Sequence, residues 1–191
     1  FLDGAGVPGG YSIDQDRRWL LLRRLAGFVP SPGDDEGRIE ELLEAERRRD
    51  PTDGGQTAAL AVAAARPEAA VKRRWLERIR DPASELSLHR RRSVMSALFP
   101  VQQAALHESF TEDLLDSLGP VGANHQDPFL KSYGTLVPQS CRPDSAARLA
   151  RAVEETPGLH PLLDEALRVA QQENERCLRI SRRLAMGDAP R

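Results

Sequence analysis

The stretch from Thr52 to Asp81, T-D-G-G-Q-T-A-A-L-A-V-A-A-A-R-P-E-A-A-V-K-R-R-W-L-E-R-I-R-D, decides the fold. Its first half is alanine-rich and strongly helix-favouring. The uninterrupted apolar run Ala58 to Ala65 offers a surface so small that a neighbouring helix can approach closely. Pro67 ends that helix, because it lacks the amide donor and its ring clashes one turn back, yet it suits the first turn of the next. Beyond it, Val71, Trp75 and Ile79 recur every fourth residue with Leu76 beside them, while Lys72, Arg73, Arg74, Glu77 and Arg78 read as the opposite, solvated face. A helix, a proline stop and a returning amphipathic helix make an αα-hairpin, and the chain reads as a series of such units.

Composition agrees. A chain of 191 residues is long enough for a continuous core, and its acids and bases nearly cancel to a net charge of −2. Such balance argues against the broad basic face of a nucleic-acid binder. Aromatic residues make up only 5%, and strand-favouring runs of Val, Ile, Thr and Tyr are missing, so the class is all-α. No apolar run approaches the roughly 20 residues of a membrane span. Cys141 and Cys177 lie far apart and read as reduced thiols in a cytoplasmic protein. The chain opens on Phe1 rather than methionine, with a Gly- and Pro-rich lead, and reads as part of a longer polypeptide.

In chain order, residues 1–11 read as a linker or edge segment, 12–187 as a single helical domain and 188–191 as a tail. Asp14 is an N-cap for a helix to Ala26, whose stripe includes Trp19, Leu20 and Leu22. Pro30 to Gly33 breaks the chain, and Asp34, Asp35 and Glu36 then open a helix to Arg49 through Ile39, Leu42, Leu43 and Glu46. After the hairpin, Ser84 or Ser87 caps a helix through Leu98. Pro100 begins another, holding Ala104, Ala105 and Leu106, and Thr111 restarts it towards Leu118. Gly119 to Gln126 reads as the least ordered interior stretch. Asp127-Pro128 opens a short helix, Pro143 to Glu155 forms another, and the longest runs from Pro161 to Leu184. The count is roughly nine or ten antiparallel helices with short links, which stack as an irregular α-solenoid of the HEAT or armadillo kind. A closed bundle is the competing architecture.

Little in these residues carries catalytic chemistry. His107-Glu108-Ser109-Phe110-Thr111 resembles half of a zinc-peptidase motif, but that motif needs a second histidine one helical turn on, where Thr111 stands. His89, His125 and His160 have no partner at ligand spacing, and neither cysteine has a local base. Catalytic and metal-ligating residues are therefore expected to be absent from this chain. The run His89-Arg90-Arg91-Arg92 is the densest basic patch. It reads either as a solvated helix face or as a surface in which Arg90, Arg91 and Arg92 hold a carboxylate, such as a peptide C-terminus, by bidentate contacts. Lys72 to Arg74 admits the same two readings.

A family resemblance sharpens this. Ile13-Asp14-x-Asp16-x-x-Trp19-x-Leu21-Leu22-x-Arg24-Leu25 is similar to the start of the C-terminal domain of bacterial aminopeptidase N. The D-P-T-D-x-G-like lead at Asp50 to Gly54 and Ala63-Ala64-x-Arg66-Pro67-x-Ala69-x-x-Lys72-x-x-Trp75 resemble the helix pair that follows in such enzymes, and Leu159-x-Pro161-x-Leu163 with its downstream Arg-rich tail resembles that domain's end. The likeness is strongest up to Leu98, and between Pro100 and Cys141 the chain has fewer aromatics than the family pattern. The resemblance implies a non-catalytic HEAT-like domain that closes over the active-site chamber of a zinc-dependent aminopeptidase and contacts the far end of the peptide. It implies zinc and its His-Glu-x-x-His ligands in an upstream catalytic domain, peptides as substrates, and no cofactor in this chain. Neither nucleic acid nor membrane is expected as a partner. The alternatives are a freestanding α-solenoid adaptor for another protein and, against the charge balance, a helical ligand- or nucleic-acid-binding regulator.

Overall fold

A computed structural model of the chain describes Gly10 and residues 12–28 and 35–187. Among the described residues there is no strand; ten α-helices and two 3-10 turns account for the regular structure. Within the span read as one domain, the helices gather into two compact units, divided between Leu106 and His107. The 1–11 segment and the Pro30–Gly33 break lie, apart from Gly10, outside the described residues.

The first unit holds α1 (Gln15–Ala26), α2 (Asp35–Arg49), α3 (Asp53–Ala65), α4 (Ala69–Arg80), α5 (Leu88–Leu98) and a 3-10 turn at Val101–Gln103. Its helix starts are written in the sequence. Asp14 accepts from the Arg17 amide, Thr52 from Gly55 and Ser87 from Arg90, each side-chain oxygen satisfying an amide the first turn leaves open. The alanine run does what small side chains allow: α3 packs most extensively against α5 and α1. Trp19, Leu22, Ala26, Leu43, Ala59 and Val62 form one buried cluster from α1, α2 and α3. Pro67 stops α3 as expected, with Arg66 extended at its end.

One expectation fails in α4. Lys72, assigned to the solvated face, is 0% exposed and stands in line with Trp75, Leu76 and Ile79. Its Nζ donates to the Ala64 carbonyl at 2.8 Å and lies 5.7 Å from the centroid of the Phe99 ring. The α3 carbonyls left without intrahelical partners explain this. Lys72 takes one, and Gln103 Nε2 takes another at Ala65, 2.6 Å away, while also donating to the Gly27 carbonyl at 2.8 Å.

The second unit contains α6 (Ala104–Ser109) in its last residues, α7 (Thr111–Asn124), α8 (Asp127–Tyr133), a 3-10 turn at Gly134–Leu136, α9 (Pro143–Glu155) and α10 (Pro161–Gly187). The stretch read as least ordered, Gly119 to Gln126, is helical through Asn124. Pro120 is tolerated inside α7 because its position is exposed, while Val121 is buried. Gly122 faces the start of α10, where an added Cβ would sit 3.1 Å from His160 Cβ and 3.3 Å from Leu163. Packing by α10 thus overrides two glycines and a proline. Gly134 is tighter still: a Cβ there would come within 2.6 Å of Ala166 Cβ.

The cysteines are also corrected. Cys141 and Cys177 form a disulfide, S–S 2.01 Å with Cα atoms 5.4 Å apart, and no described cysteine is free. The pair is separated by 36 residues, a spacing without local meaning, and meets because α9 packs back on α10. Cys141 has φ of 56°, a left-handed backbone costing a non-glycine residue about 1 kcal/mol or more, which the tether to α10 maintains. With both cysteines in a disulfide, reduced thiols give no ground for a cytoplasmic location. No helix among the described residues is long and apolar enough to cross a membrane.

Candidate functional site

The first unit carries a groove floored by α3 and walled by α1 and α5. Successive α3 residues at helical spacing, Gly54, Thr57, Ala58, Ala61 and Ala65, form its floor. One end is a cavity of about 260 Å3, with Asp16, Trp19, Leu20 and Arg23 of α1 on one wall and His89 and Ser93 of α5 on the other. The next, of about 320 Å3, carries Arg23, Arg24 and Phe28 on the α1 side and Ser96, Ala97, Pro100, Val101 and Gln102 across from them. Arg23 lines both cavities, so they adjoin at that side chain. The side chains of Arg23, Arg24 and His89 make no hydrogen bond or ion pair with another described residue. Thr57 is only 5% exposed, and its Oγ1 has no hydrogen-bond partner.

The basic run singled out in the sequence borders this groove but is partly spent within the unit. Arg90 donates to Asp53 Oδ1 at 2.6 Å and to Gln56 Oε1 at 2.9 Å, tying α5 to the start of α3. Arg91 Nε donates to the Leu86 carbonyl at 2.9 Å, and Arg92 is exposed. Lys72 is the strongly perturbed base of the unit. Burial lowers its pKa from 10.5 to about 7, against the raising influence of Glu68. Its side chain is fully buried, and its Nζ serves the α3 carbonyl of Ala64. Glu46 is a second buried charge. Burial pushes its carboxyl up, but hydrogen bonds from Arg18 and Gln15 and the nearby Arg18 and Arg49 charges outweigh that and lower it. Arg18 grips it with Nε at 2.8 Å and Nη2 at 2.7 Å.

In the second unit the half-motif at His107 is structural. His107 Nε2 donates to the Leu136 carbonyl at 2.7 Å, and Arg148 donates to Glu108. His125 stacks on Phe129, ring centroids 4.1 Å apart, and His160 Nε2 lies 3.4 Å from Asp127. Among the described residues no three of His, Cys, Asp and Glu gather as a metal site. Sequence reasoning missed the groove because it belongs to three helices at once, and it missed Lys72 although the signal was present. Lys72 lies three residues before Trp75, four before Leu76 and seven before Ile79, all buried positions.

Compared with known proteins, the chain matches no family model and no curated protein.

Proposed function

We propose that the chain is the helical, non-catalytic C-terminal domain of a zinc-dependent aminopeptidase, closing over the chamber in which peptides lose their N-terminal residues. On this reading its helices stack as a HEAT-like solenoid. The observation that carries it is where the family-like residues meet. Trp19 Nε1 donates to Asp50 Oδ2 at 2.8 Å, Thr52 caps α3, Lys72 closes the α3 end at Ala64, and Trp75 is buried beside it. The first two resembling segments thus meet in one packed unit, where Trp19, Asp50, Thr52, Lys72 and Trp75 each have a structural task. His107 and Glu108 are bonded within the fold; on this reading the zinc ligands lie in an upstream catalytic domain, and no catalytic step is assigned to this chain.

The test uses the longer polypeptide containing this chain. Hydrolysis of an aminoacyl-anilide is measured together with bound zinc, for that polypeptide and for the 191-residue chain alone. An active, zinc-loaded parent beside an inert, metal-free chain supports the reading; a parent without activity or zinc refutes it. Replacing Arg90, Arg91 and Arg92 with alanine in the active parent, with KM followed against peptide length, tests them as holders of the far carboxylate. A second reading, the freestanding adaptor, is favoured by the groove over α3, which has the form of a surface for another protein.

A further inference from the structure

We propose that the groove over α3 is a docking site for an acidic amphipathic helix of a partner protein. The first observation is a floor without large side chains: Gly54 and Ala58 remain accessible between α1 and α5, and Thr57, Ala61 and Ala65 beside them do not fill the groove. The 13 residues of α3 make a floor of about 20 Å, the length of roughly four turns of an incoming helix. The second argument is the walls. Leu20 is 40% exposed, Phe28 61% and Val101 90%, so apolar anchors for the helix's apolar stripe stand along the same groove. Charge selects the partner. Arg23 and Arg24, unpaired among the described residues, and His89 face the groove, against the single carboxylate of Asp16. Carboxylates flanking an apolar stripe meet those guanidinium groups; lysines would be repelled. Finally, Thr57, nine-tenths buried in the floor, keeps a hydroxyl without a hydrogen-bond partner among the described residues.

The experiment uses the whole chain and a fluorescein-labelled designed helix of about 16 residues, with leucines on one face and glutamates on the other. A second helix carries lysine at every glutamate. Fluorescence anisotropy should show binding of the acidic helix that weakens as salt is raised from about 0.05 to 0.5 M, and no binding of the basic one. Replacing Arg23 and Arg24 together with alanine should weaken binding about tenfold, as should Val101→Asp, while Arg176→Ala on α10 leaves it unchanged. Circular dichroism of each variant establishes that it is folded. Equal binding of the two helices, or insensitivity to the Arg23 and Arg24 changes in folded protein, overturns the proposal. So does binding that appears only after residues 29–34 are replaced by a glycine-serine linker, which would mean the chain fills its own groove. Concentration-dependent dimerisation abolished by the same arginine changes would give the groove to a second copy instead.

Discussion

The buried ammonium of Lys72 makes a prediction whose sign is unambiguous. In the folded chain its pKa is lowered from 10.5 to about 7 by burial. A lysine depressed on folding binds its proton more weakly in the native state than in the unfolded one. Between about pH 7 and 10.5 the unfolded chain therefore holds a proton that the folded chain has released, and stability rises with pH across that window. Each pH unit fully inside it is worth about 1.4 kcal/mol, so from pH 7, where the native lysine is half-protonated, to pH 9 the gain is about 2 kcal/mol. Other titrating groups contribute as well, and the comparison with Lys72→Met removes them, since both proteins share them. Methionine nearly matches the stem in length, carries no charge, and leaves the Ala64 carbonyl without its donor, so the two proteins should be close in stability at pH 7. At pH 9 the wild type should lead by about 2 kcal/mol more than at pH 7. Both tryptophans, Trp19 and Trp75, lie in the first unit, so urea unfolding followed by tryptophan fluorescence reports that unit alone. Parallel pH profiles for the two proteins would refute the reasoning, because they would mean that Lys72 keeps its ordinary affinity for a proton in the fold.

Other expectations are as direct. Reducing the Cys141–Cys177 bond, or replacing both residues with serine, should lower the stability of the second unit by about 4 kcal/mol, the loop-closure entropy for a separation of 36 residues; hydrogen exchange of α9 and α10 with and without reductant measures it. Gly134→Ala should cost about 1–3 kcal/mol in thermal unfolding, since its Cβ would stand 2.6 Å from Ala166 Cβ. Arg18→Met should cost about 3 kcal/mol at pH 7 by leaving the Glu46 carboxylate buried without its cation. Because the native Glu46 pKa is depressed, the stability it contributes is present above its ordinary 4.5 and lost as pH falls through the lower native value. Acid titration of wild type against Glu46→Gln, read by tryptophan fluorescence, should show that loss only in the wild type.

Most of the helical plan is legible in the sequence because it rests on local chemistry. Asp14, Thr52 and Ser87 cap the helices they begin, Pro67 separates α3 from α4, and the long apolar period beginning at Pro161 is α10. Where the reading failed, contacts distant in sequence had decided the outcome. Gly119 to Asn124 has poor local propensity and is helical because Val121 and Gly122 pack inside the second unit, Gly122 against the start of α10. The disulfide joins residues whose spacing has no local meaning. Lys72 was hidden by its type: a lysine in a basic run reads as solvated, although its period placed it among Trp75, Leu76 and Ile79. The groove was invisible for a related reason, since no single helix contains it. Arg90, chosen for its neighbours in sequence, is held by Asp53 and Gln56, whereas Arg23 and Arg24, which were not among the candidate binding residues, line the groove.

Gln103 bears on the order in which the chain is made. Its amide nitrogen binds the carbonyls of Gly27 and Ala65, 76 and 38 residues earlier. Until the ribosome has delivered residue 103, the ends of α1 and α3 lack that shared donor, so a nascent chain released from the exit tunnel only as far as α5 holds the first unit incomplete. The last piece arrives just before the boundary at Leu106, and everything that follows belongs to the second unit. The first unit can therefore close upon itself during translation, before the second unit has fully emerged from the ribosome.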